Sequence, residues 1–304
     1  MTSNHTAFTG EIDPALARRL VAAQFPRWAH LPVRAVSRQG WDNRTFRLGD
    51  ELSVRLPSAR YYEASIDKEQ RWLPRLAPHL PLPIPVPLEM GAPGEGYPWR
   101  WSVNRWLDGE TADAAAIADR TRFAIDLAAF LTALHRIDAA DGPPAGPHSF
   151  WRGGPLATYD AEIRAALAEL SDRIDSGAAM DVWTAALSAD WRGAPVWVHG
   201  DLAPGNLLVG DGRLRGVIDF GQTCVGDPAC DLAVAWTFFD GDSRAAFRAD
   251  LTLDAGTWAR GRGWTLWKAL IVLAGLPGAN PTGADACHRI IGDVLADHRG
   301  ERGS

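Results

Sequence analysis

The pattern of apolar and polar positions alternates in the first third of the chain and repeats at helical spacing beyond it. Leu16, Leu20, Val21 and Phe25 form an apolar stripe behind Asp13-Pro14, a cap followed by proline at the first helical position, which predicts a helix over 13–25. Val33 to Ser37, Thr45 to Leu48 and Leu52 to Leu56 alternate in polarity, separated by the loop Arg38 to Asn43 and a Gly49-Asp50 turn. That reads as strand, loop, strand, turn, strand. Residues 61–76 carry Ile66, Trp72, Leu73 and Leu76 and read as a helix. Pro81 to Pro87 alternates proline with apolar residues and reads as a rigid extended connector, and Trp99 to Trp106 is a further strand. After Thr111 the spacing changes. Residues 113–137, with Phe123, Leu127, Phe130, Leu131 and Leu134, predict a long helix, and the Gly/Pro-rich stretch 141–155 a loop. Helices follow around 156–171, 178–189 and 229–239, with a final one at 256–275 whose stripe of Trp258, Trp264, Trp267 and Leu270 reads as core.

One stretch of the helical part breaks that spacing. Val196 to Val198 and Leu207 to Val209 are short apolar runs flanking a polar loop with His199, Asp201 and Asn206. An Asp211-Gly212 turn then folds the chain back into Leu214 to Ile218, which delivers Asp219, Phe220 and Gly221. Two carboxylates and one amide are thus held on loops at the ends of strands. Phosphoryl transfer needs such a set: a carboxylate to take a hydroxyl proton, and an amide with a second carboxylate to hold Mg²⁺.

His199-Gly200-Asp201 with Asn206 resembles the catalytic loop of the protein-kinase-like fold, and Asp219-Phe220-Gly221 resembles its metal-binding motif. The intervals, five positions from Asp201 to Asn206 and thirteen from Asn206 to Asp219, match that superfamily. The His-Gly-Asp form, with Gly226-Asp227-Pro228 and Asp231-Leu232-Ala233 downstream, is similar to the aminoglycoside phosphotransferase (antibiotic kinase) family rather than to protein kinases. The resemblance implies an α+β, two-lobed fold: a small antiparallel-sheet lobe for the nucleotide over 1–107, and a larger, mostly helical lobe over 108–304 with the catalytic loop and substrate pocket. It also implies roles. Asp201 would be the catalytic base, Asn206 and Asp219 the metal ligands, and His199 and Asp231 would brace the loop. An ordinary turn residue suffices for Asp211.

The same resemblance assigns nucleotide contacts in the first lobe. The loop Gln39-Gly40-Trp41-Asp42-Asn43 occupies the place of the nucleotide-covering loop, so Gly40 and Asn43 are candidates to face the triphosphate. In Leu52-Ser53-Val54-Arg55-Leu56, alternation puts Ser53 and Arg55 on the face opposite the apolar residues. The family places lysine where this chain has Arg55; a guanidinium binds phosphate in a forked geometry, so the role can survive. The helix 61–76 should supply an acidic partner for Arg55. Glu69, which precedes Trp72-Leu73, is the choice, and Glu63 is its rival. Asn104 to Leu107, including Trp106, stand where the hinge would meet a purine.

Composition excludes some functions. Apolar residues make up 46% and charged residues 22% of 304, an ordinary globular mixture. A net charge of −6 gives no support to a nucleic-acid partner and is compatible with a cationic substrate. Lys68 and Lys268 are the only lysines. Cys224, Cys230 and Cys287 lack metal-ligand spacing and read as reduced thiols. The first residues lack a signal-peptide pattern, and no apolar run spans a membrane, so a cytoplasmic location is expected. The expected function is Mg²⁺-dependent transfer of the γ-phosphate of ATP or GTP to a hydroxyl of a small molecule. The first choice of acceptor is an antibiotic such as an aminoglycoside, with macrolide or peptide antibiotics and choline- or homoserine-like metabolites as alternatives. Specificity should lie around 140–190 and 236–265, where Asp181, Asp190, Asp240 and Asp242 are candidates to meet an amino sugar. A non-catalytic kinase-like binding module is the competing class.

Overall fold

The computed structural model describes residues 8, 10–37, 39–40, 42–276 and 283–302. Arg38 and Trp41 of the expected nucleotide loop and the N-terminal residues 1–7 lie outside the described residues. The chain divides into two units, Met1–Gly109 with Arg215–Gly221, and Glu110–Leu214 with Gln222–Ser304.

In the first unit, helix α1 (Pro14–Gln24) starts where Asp13 caps it, its carboxylate accepting the Leu16 amide at 2.7 Å. Strands β1 (Val33–Ala35), β2 (Asn43–Leu48) and β3 (Leu52–Pro57) are followed by α2 (Arg60–Leu76), β4 (Pro87–Gly91) and β5 (Trp101–Arg105). The strands form one antiparallel sheet in the order β1-β2-β3-β5-β4. β2 and β3 turn at Gly49, whose φ of +59° is where glycine is favoured. Strand alternation sorts the sheet into two faces. Leu48, Leu52, Val54, Leu56, Trp101 and Val103 pack with Leu16, Leu20, Val21 and Phe25 of α1 and its end into one apolar core. The register pairs Ser53 with Asn104 and Arg55 with Ser102 on the other face, which is polar yet buried.

The second unit contains β6 (Glu110–Thr111), α3 (Arg120–Arg136), α4 (Asp160–Glu169), α5 (Ser176–Ser188), β7 (Val196–Val198) and β8 (Leu207–Gly210). The strand β9 (Arg213–Val217) begins in this unit and ends in the first. β10 (Cys224–Gly226) pairs antiparallel with β7, and α6 (Val234–Thr237), α7 (Gly241–Asp250), α8 (Ala255–Leu273) and α9 (Ala284–Arg302) complete the chain. The helix expected from 113 begins only at Arg120, because Asp119 caps it there by accepting the Arg122 amide at 2.9 Å. Residues 256–275 are not the final helix. α9 follows, with Cys287, Ile290, Ile291, Val294 and Leu295 buried at helical spacing. Arg262 of α8 ties it down by donating to Asp297 at 2.8 Å and Glu301 at 2.5 Å. Among the described residues no helix is long and apolar enough to cross a membrane.

Candidate functional site

In the second unit the catalytic-loop motif is fixed from below by one carboxylate. Asp231, with no exposed surface, accepts the backbone amides of His199 at 2.7 Å and Gly200 at 2.8 Å, one on each oxygen. Burial pushes this carboxyl above the usual carboxylate range, against the pull of His199 and the two amides. Gly200 has φ +84°, and a Cβ there would lie 2.6 Å from the Gln222 carbonyl oxygen, so the tight turn requires glycine. His199 is fully buried and its Nδ1 accepts the Asp201 amide at 3.2 Å. Asn206 closes the loop from the other end, its Nδ2 donating to the Asp201 carbonyl at 2.9 Å. His199 and Asn206 therefore hold the Asp201 backbone directly, and Asp231 holds the two residues before it, an arrangement of the preorganised kind that a general base needs.

Downstream, Asp227 caps the 3₁₀ turn Pro228–Ala233 by accepting the Ala229 amide at 3.1 Å. It also takes a forked pair of bonds from Arg260, 2.6 Å from Nε and 3.1 Å from Nη2. Sequence reasoning did not find Arg260; an arginine on the apolar helix 256–275 was its one signal. Cys230 is buried, and burial pushes its thiol well above the ordinary range, so it is a packed thiol and not a reactive one.

In the first unit Arg55 meets two carboxylates. Its Nη1 donates to Glu69 at 2.7 Å and its Nη2 to Asp219 at 3.4 Å. Burial works against the guanidinium, yet Glu69 and Asp219 together raise its pKa. Glu69 is 2% exposed; burial pushes its carboxyl upward, and its Oε1 has no hydrogen-bond partner. The rival Glu63 is committed elsewhere, accepting the Arg100 amide at 3.0 Å and pairing with its guanidinium. Asp219 itself has φ +65°, a strained left-handed conformation outside glycine. Ser65 holds the adjacent backbone by donating to the Gly221 carbonyl at 3.3 Å.

Of the remaining expected nucleotide contacts, Asn43, Ser53 and Asn104 lie on the sheet, and Gly40, Trp106 and Leu107 lie outside its strands. Asn43 and Asn104 are buried with side-chain polar atoms lacking hydrogen-bond partners, as is Ser102 Oγ, while Ser53 is buried in register with Asn104. Gly40 accepts from Arg44 through its carbonyl at 2.7 Å. The Trp106 amide already bonds the Glu51 carbonyl at 2.7 Å, so it is not open to a purine, and the Trp106 ring lies under the Arg47 guanidinium at 4.5 Å. Leu107, the next residue, is half-buried.

Among the described residues no group of three or more His, Cys, Asp and Glu side chains is placed to hold a metal ion. Mg²⁺ is commonly held by one or two protein oxygens together with nucleotide phosphates and water. The resemblance would assign that role to Asn206 of the second unit and Asp219 of the first, whose side chains carry oxygens of that type.

Comparison with known proteins bears on this chemistry. By sequence, no curated protein matches the chain. Solved structures share its fold: the GDP complex of aminoglycoside 2'-phosphotransferase-IIIa has 19% identity and a TM-score of 0.69, over 94% of this chain and 99% of that one. The macrolide 2'-phosphotransferase MphH from Brachybacterium faecium has 24% identity and a TM-score of 0.54, over 95% of this chain and 94% of that one. A kanamycin and GDP complex of APH(2")-IIIa has 18% identity and a TM-score of 0.67, covering 93% and 98%. The phosphotransferase enzyme family matches residues 33–264, from the first strand through the middle of α8. Over more than half of its length, then, the chain belongs to the phosphotransferase enzyme family, and it is a phosphotransferase with an alcohol group as acceptor.

Proposed function

We propose that the chain transfers the γ-phosphate of ATP or GTP to a hydroxyl of a small molecule, with Asp201 as base. The observation that carries this reading is the Asp201 loop, whose backbone is fixed at His199, Gly200 and Asp201 by four hydrogen bonds with the side chains of Asp231, His199 and Asn206. Asp201 orients the acceptor hydroxyl and takes its proton as the oxygen–phosphorus bond forms and the bond from the γ-phosphorus to the bridging oxygen breaks. The leaving nucleoside diphosphate keeps that electron pair. Arg55, pre-aligned by Glu69, grips the phosphates; Ser53, Asn43, Gly40, Asn104 and Leu107 complete the nucleotide side. Mg²⁺, held by Asn206 and Asp219, would neutralise charge on the phosphates. The lobes expected over 1–107 and 108–304, with Arg215–Gly221 joining the first, act as the nucleotide lobe and the lobe for catalysis and the acceptor.

The neighbours with solved structures are named for aminoglycosides and macrolides, which supports an antibiotic as the first class of acceptor to test and aminoglycosides as the first members of it. The deciding experiment is Asp201→Asn. It should abolish phosphate transfer to every acceptor in a screen of aminoglycosides, macrolides, peptide antibiotics and amino alcohols while leaving nucleotide affinity within about threefold, since only the proton acceptor is removed. Full turnover in that variant rules the assignment out. Nucleotide binding without turnover of any acceptor would favour the non-catalytic binding module.

A further inference from the structure

The loop before α4 is strained in a way that the phosphoryl-transfer reading does not use. Phe150 and Trp151 are adjacent non-glycine residues at φ +47° and +56°. Such conformations persist only where the surroundings fix them, and they gather at functional sites. Here Tyr159 donates to the Phe150 carbonyl at 2.5 Å and the Trp151 amide to the Gly146 carbonyl at 2.9 Å. Ser149 Oγ and Cys224 Sγ both donate to the Arg152 carbonyl, at 3.3 and 2.9 Å. The result leaves Trp151 39% exposed and turns Arg152 inward, where it is 9% exposed.

Arg152 lies over two rings of α8, 5.2 Å from the Trp264 centroid and 4.7 Å from that of Trp267. Its Nη1 is buried and has no hydrogen-bond partner. Lys268 places its ammonium 5.9 Å from the same Trp267 ring. Neither cation forms an ion pair with a described carboxylate. The carboxylates that act on Lys268 from a distance are Asp201 and Glu162, and Glu162 is occupied in accepting the Trp267 indole N–H at 2.9 Å. Burial and the neighbouring guanidinium both push the Lys268 ammonium downward. Aromatic packing accounts for one cation on these rings. It does not account for a second that repels the first, nor for a buried donor left without a partner.

We propose that the acceptor carries an anionic group, a carboxylate or a phosphate, which Arg152 and Lys268 receive. The proposal rests on Asp201 being the base, and it moves the preferred acceptor from the cationic aminoglycosides to an anionic hydroxyl compound. A guanidinium fork with an ammonium beside it matches the oxygens of such groups. Two of the four acids expected to meet an amino sugar have other partners: Asp190 pairs with Arg192 at 3.4 Å, and Asp240 caps α7 by accepting from Ser243.

Glycerol, D-glycerate and glycerol 3-phosphate differ at one end only and serve as probes. The full chain saturated with ADP and Mg²⁺ should bind D-glycerate or glycerol 3-phosphate at least about tenfold more tightly than glycerol in calorimetry, the value of one charge-assisted contact. Lys268→Met and Arg152→Met should each erase that preference with melting temperatures unchanged, and Lys268→Arg should keep it. The stronger of the two anions identifies which group is read. Equal binding of the three probes overturns the proposal, as does a preference that survives both methionine variants. A Lys268→Met variant that slows transfer to glycerol and D-glycerate by one common factor also overturns it, assigning the lysine to the transferred phosphate instead. Asp201→Asn separates the two readings: it should lose turnover and keep the anion preference, whereas turnover retained there would sink the base assignment and leave the binding result standing.

Discussion

Asp231 offers the sharpest test of how the loop is held. Its two oxygens each accept one backbone amide, from His199 at 2.7 Å and Gly200 at 2.8 Å, in a site without solvent. Asp231→Asn keeps the shape and one accepting oxygen, but sets an NH₂ group against the other amide. One charge-assisted bond is lost, worth about 1.5–3 kcal/mol, and one buried N–H is left unsatisfied at a further 1–3 kcal/mol or so. Asparagine also removes a charge that burial disfavours, which returns part of the loss and points to the lower half of the combined range, roughly 3–4 kcal/mol. Against a total stability of about 5–15 kcal/mol this is large. At about 2 °C per kcal/mol for a chain of this size, thermal unfolding by circular dichroism should show a fall of roughly 6–8 °C. Turnover should fall more than the KM for nucleotide rises, because the proposed nucleotide contacts lie on residues of the other unit. A variant melting within about 2 °C of wild type, with unaltered turnover, would refute the argument that these two bonds carry the loop.

Arg55→Lys replaces two donors on separate nitrogens by one ammonium that cannot hold both Glu69 and Asp219; the nucleotide KM, from initial rates, should rise about tenfold, and Arg55→Met should remove binding. Gly200→Ala must adopt φ +84° with its Cβ 2.6 Å from a carbonyl oxygen, so urea denaturation should show a loss of at least about 2 kcal/mol. His135, pushed by burial down to about 4 from 6.5, binds fewer protons folded than unfolded between those values. Stability should therefore fall as pH drops from 6.5 to 4, by up to about 3 kcal/mol from this residue, and His135→Leu should flatten that part of the urea-derived profile.

Much of the loop's chemistry could be read in the sequence because it is local. Asp201, Asn206 and Asp219 lie on one continuous stretch in which apolar runs, a turn and glycine at 200 all agree. Glu69 was preferred over Glu63 by its neighbours in sequence, and the distances to Arg55 and Arg100 now separate the two. Contacts between distant parts of the chain were not readable. Arg152 meets Trp264 and Trp267 across more than a hundred residues, and nothing around 152 marks it as buried. Arg260 joins Asp227 across a separation of 33. The reading of 256–275 as the final helix leaves out α9, although its stripe of Cys287, Ile290, Ile291, Val294 and Leu295 is periodic. Trp106 was assigned a purine contact from its position alone, and its amide is spent on Glu51.

The crossing of the chain at Arg215–Gly221 limits how the nucleotide-binding part can be excised. These seven residues, Asp219 among them, belong with Met1–Gly109 although more than a hundred positions separate them in sequence. A fragment ending at Gly109 would carry the sheet, Arg55 and Glu69 but lack the second carboxylate that Arg55 meets. In a domain exchange between relatives, the donor half is therefore two segments of sequence, and a graft that moves only the first imports Arg55 without the Asp219 carboxylate it meets.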